Sequence, residues 1–67
     1  MTITDDKDEK WWVREKMVNV VGLGNPPDEP GVCLSILLGE TQVNFASFDS
    51  IENARKVAAK IAEEAGL

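Results

Sequence analysis

The fold of this 67-residue chain is decided by residues 32–48, which read Val32-Cys33-Leu34-Ser35-Ile36-Leu37-Leu38-Gly39-Glu40-Thr41-Gln42-Val43-Asn44-Phe45-Ala46-Ser47-Phe48. A two-residue turn that begins with glycine, here Gly39-Glu40, is typical of a type II′ β-hairpin. With that turn, Leu38 pairs with Thr41, and the pairing continues outward to Val32 opposite Ser47. The stretch therefore predicts two antiparallel strands in a defined register.

The predicted register sorts the hairpin side chains onto two faces. One face is apolar and collects Val32, Leu34, Ile36, Leu38, Val43 and Phe45. The other face is mixed and collects Cys33, Ser35, Leu37, Gln42, Asn44 and Ala46. A slip of one residue would exchange the two faces, so the pattern itself specifies the register. We expect the apolar face to form the core.

Residues Ser50 to Ala65 have the pattern of an amphipathic helix. Ile51, Ala54, Ala58, Ile61 and Ala65 recur at helical spacing, with Val57 on the flank. Asp49 is the predicted N-cap, with Glu52 three residues later as in a capping box. Gly66 is placed to end the helix in a left-handed conformation.

Residues 10–23 are compatible with two structures. The β-branched cluster Val18, Val20 and Val21 favours a strand, because stiff side chains of this type suit a pleated surface. Helical spacing of Val13, Met17, Val20 and Val21 keeps a helix as the alternative. We predict a strand, which makes three consecutive strands.

The remaining segments are polar. Residues 1–9 are rich in acids and predict a mobile tail, which leaves residues 10–67 as one small domain. Residues 22–31 contain Pro26, Pro27 and Pro30 and predict a stiff loop. The predicted fold is thus α+β: a three-stranded antiparallel meander (β-β-β) with one C-terminal α-helix packed on one face.

Composition bears on the class of function. The chain carries 12 acidic and 7 basic residues and a net charge of −5, which disfavours contact with phosphate backbones and anionic membranes. It has no histidine and a single cysteine, so the usual general base and the usual zinc ligands are missing. No apolar run reaches the length of a membrane span. We therefore expect a cytoplasmic protein that is not an enzyme and needs no cofactor or metal.

One helix covers one face of a sheet, so the second face of the predicted sheet is left without cover. We expect a small acidic protein-binding module that uses this face, or that self-associates through it as a weak homodimer. Small acidic chains of this kind are frequent among regulators and inhibitors of larger proteins, including phage-encoded inhibitors of host defence. The alternative is a structural homodimer with no separate activity. The candidate partner-binding residues are Trp11, Trp12, Cys33, Leu37, Ala46 and the loop acids Asp28 and Glu29.

Overall fold

Three strands form an antiparallel sheet with the apolar strand in the middle, in a computed structural model that describes all residues from 1 to 67. The C-terminal helix packs mainly against the first of these strands, and a separate two-stranded sheet precedes them. The predicted α+β fold with a meander and a C-terminal helix is confirmed. The elements are β1 (Thr2–Thr4), β2 (Lys10–Trp12), a 3-10 turn (Glu15–Met17), β3 (Val18–Gly24), β4 (Val32–Leu38), β5 (Thr41–Phe48) and α1 (Ile51–Ala65).

The β4–β5 hairpin has the predicted register over most of its length. Leu38 pairs with Thr41, and the pairing runs on to Leu34 opposite Phe45. Gly39 has a φ of 61° whereas Glu40 has no positive φ, which is the pattern of a type II′ turn. The expected hairpin turn is therefore confirmed.

The register changes beyond Leu34, where Val32 pairs with Phe48 rather than with Ser47 as predicted. Ala46 is the extra residue of a β-bulge and has a φ of 64°. The physical reason is the spacing of the two phenylalanines. Phe45 and Phe48 are three residues apart, and strict alternation would turn one of them away from the core. One inserted residue places both on the same face.

Residues 10–23 are not one continuous strand. The strand prediction is right for β2 and β3, but a 3-10 turn at Glu15–Met17 separates them. The helix alternative is wrong beyond that single turn. β3 also contains a register shift between Val18 and Val20. This second bulge turns Val18 to the core, 4% exposed, and leaves Val20 55% exposed.

The predicted tail over residues 1–9 is replaced by structure. Thr2–Thr4 pairs with Lys10–Trp12 as an antiparallel hairpin, and Ile3 is buried in the core cluster. Asp5 is also buried, at 6% exposed. The acidic composition of this segment gave no sign that Ile3 is buried in the core or that the carboxylate of Asp5 accepts several hydrogen bonds.

The helix begins one residue later than predicted. Ser50, not Asp49, is the N-cap: its hydroxyl accepts hydrogen bonds from the backbone N–H groups of Glu52 and Asn53. Gly66 adopts the left-handed conformation at the C-terminus, as predicted, with a φ of 80°. The N–H of Leu67 donates to the carbonyl of Ala62, which completes a Schellman motif.

The core lies on one face of the sheet. Leu34 from β4 and Ile61 from α1 are fully buried, and Ile36 is nearly so. The β1–β2 hairpin reaches the same face, because the ring of Trp11 packs edge-on against Phe45 at 5.5 Å between centroids. The helix and the N-terminal hairpin therefore both pack on this one face of the sheet, and neither packs on the opposite face.

Candidate protein-contact surfaces

The uncovered side of the sheet is centred on a pair of cross-strand neighbours. Val20 in β3 is directly opposite Leu37 in β4, on the face that alternation turns away from the core. Val20 is 55% exposed and Leu37 is half-buried. We call this surface the outer face; with these two residues it comprises Gly22, Ser35 and Gln42, which together line a shallow depression of about 270 Å³.

Two polar side chains on the outer face are hydrogen-bonded to each other. The side-chain amide of Gln42 donates to the hydroxyl of Ser35 at 3.0 Å. No strand of this sheet contains a charged residue, although 28% of the chain is charged. The outer face therefore offers a desolvatable apolar pair beside a neutral polar rim, which resembles the composition of non-obligate protein interfaces.

The other end of the same sheet side is closed. Cys33 is a free thiol and is buried, and Ala46 at the bulge is buried as well. Both line a hollow of about 220 Å³ at the β5 edge together with Pro26 and Pro27 of the loop. These two candidate contact residues are thus less accessible than Leu37, because the proline-containing loop lies beside them.

Both tryptophans line a different opening, although Trp11 also borders the hollow that contains Cys33 and Ala46. Together with Arg14 they line an apolar groove beside the open end of the core face. We call this the tryptophan groove; it measures about 140 Å³ and is lined by Trp11, Trp12, Val13, Arg14, Ile36, Leu38, Val43 and Phe45. Trp12 is 66% exposed, and the guanidinium of Arg14 lies 5.7 Å from the centre of its ring.

Trp11 is held in place by the buried carboxylate of Asp5. Its indole Nε1–H donates to Asp5 Oδ2 at 3.4 Å. The backbone N–H of Ser47 donates to the same oxygen at 3.0 Å, and those of Lys7 and Glu9 donate to Oδ1, each at 2.9 Å. Burial raises the pKa of Asp5, but hydrogen bonds from Ser47, Glu9, Lys7 and Trp11 outweigh it and leave the pKa below its ordinary value.

A second carboxylate supports the other end of the same segment. Glu15 Oε2 accepts a hydrogen bond from the amino group of Met1 at 2.8 Å, and that contact leads the causes that lower the pKa of Glu15. The Met1 amino group also donates to the carbonyl of Val13 at 2.7 Å. The backbone on both sides of Arg14 is therefore anchored, which fixes one wall of the tryptophan groove.

The loop acids Asp28 and Glu29 are both exposed. Glu29 forms an ion pair with Lys7, and this contact raises the pKa of the lysine. Both side chains of the pair are about half exposed, so its contribution to stability is small. The pair links the loop to the turn between β1 and β2.

The predicted contact residues therefore fall into four places rather than one. Leu37 lies on the outer face, and Trp11 and Trp12 line the tryptophan groove. Cys33 and Ala46 line the hollow at the β5 edge, which Trp11 also borders, and Asp28 and Glu29 lie on the loop. Val20 was missed because the sequence does not show which face of β3 meets the core; alternation with Val21 turns Val20 outward, and the bulge before it turns Val18 inward. Arg14 lies two positions from Trp12 and lines the groove, but it was not among the candidate contact residues.

Nothing in the chain groups three or more potential metal ligands from histidine, cysteine, aspartate and glutamate. The single helix is neither long nor apolar enough to span a membrane. No family model matches the sequence, and no curated protein or solved structure matches it either.

Proposed function

We propose that this protein is a non-enzymatic binding module that regulates or inhibits a larger protein by docking through its outer face. The observation that carries the proposal is the pair of exposed Val20 and half-buried Leu37 on a sheet side that neither the helix nor the N-terminal hairpin covers. Burial of such apolar surface is the general driving force of protein association.

The charge distribution favours this surface over the rest of the molecule. The protein has a net charge of −5, yet β3, β4 and β5 carry no charge at all. A partner that contacts these strands on the outer face therefore does not have to remove water from a charged side chain. The single free cysteine suits a reducing compartment, and we place the protein in the cytoplasm.

A second candidate function is self-association. Two copies that bring their outer faces together would bury both Val20–Leu37 pairs in an isologous contact. The same absence of charge favours it, since no like charges on the sheet would oppose one another. In this case dimerisation is the main property of the protein.

Leu37→Asp tests both candidates. The carboxylate placed on the outer face would have to be desolvated in any contact there, so binding is expected to be lost while the fold persists. Asn53→Asp is the matched control, because it adds the same charge on the exposed side of the helix. Both variants and the wild type are used as bait for affinity purification and are sedimented at high concentration.

A partner retained at a stoichiometric ratio by the wild type and by Asn53→Asp, but lost with Leu37→Asp, is the expected result for a regulator. Self-association lost only with Leu37→Asp indicates the dimer. Binding or self-association that survives Leu37→Asp would contradict the assignment of the outer face, as would a protein that stays monomeric and retains no partner.

A further inference from the structure

The tryptophan groove is the second apolar opening in the molecule, and it is separate from the outer face. Seven of its eight lining residues are hydrophobic. Its volume of about 140 Å³ is close to that of an engineered apolar cavity, about 150 Å³, that accepts benzene. The groove therefore has room for one aromatic ring.

The rim of the groove has the residue types that dominate binding energy at interfaces. Tryptophan and arginine are enriched among such hot spots. Trp12 leaves most of its surface in solvent, and its ring centre lies 5.7 Å from the guanidinium of Arg14, whereas Trp11 is half-buried against Phe45. An incoming ring would pack against the fixed indole of Trp11, in a groove whose lining includes Trp12 and Arg14.

The charge around the groove is opposite to that of the molecule. Residues 10–16 hold three of the seven bases, Lys10, Arg14 and Lys16, but only one of the twelve acids. That acid, Glu15, already accepts a hydrogen bond from the Met1 amino group at 2.8 Å. Glu40, on the turn that follows Leu38, is the acid closest to the groove along β4 and β5, and it does not line the groove. The carboxylate of Asp5 contacts the indole nitrogen of Trp11, but it is buried and does not line the groove. Arg14 is therefore the one charged residue that lines the groove.

We propose that the tryptophan groove binds an acidic peptide segment that inserts one aromatic side chain. The aromatic ring packs against Trp11 in the groove, and flanking carboxylates of the segment pair with the guanidinium of Arg14. This is a binding activity in addition to docking through the outer face, and neither depends on the other.

The intrinsic fluorescence of the protein reports on this site directly. Trp11 and Trp12 are the only tryptophans, there is no tyrosine, and both tryptophans line the groove. The probes are three capped nonapeptides: one with a central phenylalanine and four acidic residues on each side, one with lysines as flanks, and one acidic peptide with alanine at the centre. Emission is followed during titration of the full chain with each.

The acidic phenylalanine peptide should give a saturable blue shift, as it removes water from Trp12. Both other peptides should bind at least tenfold more weakly, because one loses the ring and the other brings like charge to Arg14. Added salt should weaken binding of the acidic peptide, since exposed charges are screened.

Arg14→Glu and Arg55→Glu form the matched pair of variants. Both reverse one exposed arginine and give the same net charge, but only Arg14 lines the groove. Arg14→Glu should weaken the acidic peptide at least tenfold, whereas Arg55→Glu should change its affinity less than threefold. Circular dichroism checks that both variants are folded, and Leu37→Asp should bind the peptide like the wild type.

Three results would overturn the proposal. They are equal affinity for the acidic and lysine-flanked peptides, equal effects of Arg14→Glu and Arg55→Glu, and the absence of any saturable change at millimolar peptide. Because these titrations use no contact of the outer face, their failure would leave the proposed function standing.

Discussion

Asp5 is the residue on which the N-terminal half of the structure depends most. Its carboxylate joins the β1–β2 turn, through Lys7 and Glu9, to Ser47 at the end of β5. The last contact spans 42 positions of the sequence. Asp5 is the one buried charged residue, and each of its oxygens accepts two hydrogen bonds.

Asp5→Asn should lower the free energy of unfolding by about 1.5–3 kcal/mol, in the range of hydrogen bonds to charged groups. An amide keeps the shape of the carboxylate but replaces one oxygen by an NH2 group. In either orientation of the amide, this NH2 group faces two N–H groups that also need an acceptor. Asp8→Asn is the control, because Asp8 is exposed and asparagine tolerates its φ of 61°. Denaturant unfolding measures both, and equal effects would contradict the role of Asp5.

The contribution of Asp5 should also depend on pH. Its pKa is lower in the folded protein than the ordinary value of 3.8, so the native state favours the ionised form. The stabilisation is complete well above that ordinary value and is lost as the pH falls through the lower, folded-state pKa. The difference in stability between wild type and Asp5→Asn should therefore shrink in strong acid. A constant difference from about pH 6 to about pH 2 would contradict this.

Gly31 is a position that only glycine fits. Its φ is 108°, and a Cβ there would lie 2.6 Å from the carbonyl oxygen of Phe48. Gly31→Ala should therefore cost about 1–3 kcal/mol or more, since both the backbone conformation and the space oppose it. Gly22→Ala is the matched control, because the nearest atom to its Cβ is 3.9 Å away. Thermal melts in which both variants behave alike would contradict this account.

At the scale of the elements, two bulges determine which side chains share the core. One lies at Ala46 in β5 and one between Val18 and Val20 in β3. In each strand two apolar residues three positions apart, Phe45 with Phe48 and Val18 with Val21, reach the core face. The flanking strands of the sheet are thus adapted to an apolar spacing that a regular strand cannot satisfy.

Ala46 should respond to substitution as a left-handed residue. Ala46→Gly should be close to neutral, because relief of about 1–2 kcal/mol of backbone strain is opposed by about 0.8 kcal/mol of lost methyl burial and about 0.5–1 kcal/mol of lost backbone entropy. Ala46→Val should be destabilising by about 1–3 kcal/mol, because it adds volume at a buried site and a β-branch at positive φ. Unfolding curves that place valine level with glycine would show that the bulge is absent.

The hairpin and the helix could be predicted because their signals are local. Gly39-Glu40 specifies the turn, alternation specifies the strand faces, and Gly66 specifies the helix end. The N-terminal hairpin could not be predicted in this way, since it depends on Ile3 reaching a core built from later residues and on Asp5 reaching Ser47. The bulges were missed because strict alternation pairs each residue of one strand with one residue of the next and leaves no place for an extra residue.

The same limit applies to the candidate surfaces. Leu37 could be placed on the outer face from the hairpin pattern alone, but Val20 required the pairing of β3 with β4, which places it opposite Leu37. The tryptophan groove required the position of β2 relative to Leu38 and Val43, a relationship between distant segments. Sequence patterns therefore identified Leu37 as a surface residue, but they did not identify the residues that surround it on the outer face.

At the scale of the whole molecule, the core is one-sided. The helix and the N-terminal hairpin both pack on one face of the sheet, and the outer face remains free for a partner. Adjacent residues of β4 should therefore differ sharply: Ile36 is 3% exposed and belongs to the core, whereas Leu37 points to the opposite side.

Denaturant unfolding of Ile36→Ala and Leu37→Asp tests this central claim most directly. Ile36→Ala should lower the free energy of unfolding by about 2–5 kcal/mol, because it leaves a cavity in the core. Leu37→Asp should lower it by less, about 1–2 kcal/mol, because Leu37 is only half-buried and strand preferences span about 1 kcal/mol. If Leu37→Asp costs as much as Ile36→Ala, the outer face is part of the core and is not available for binding.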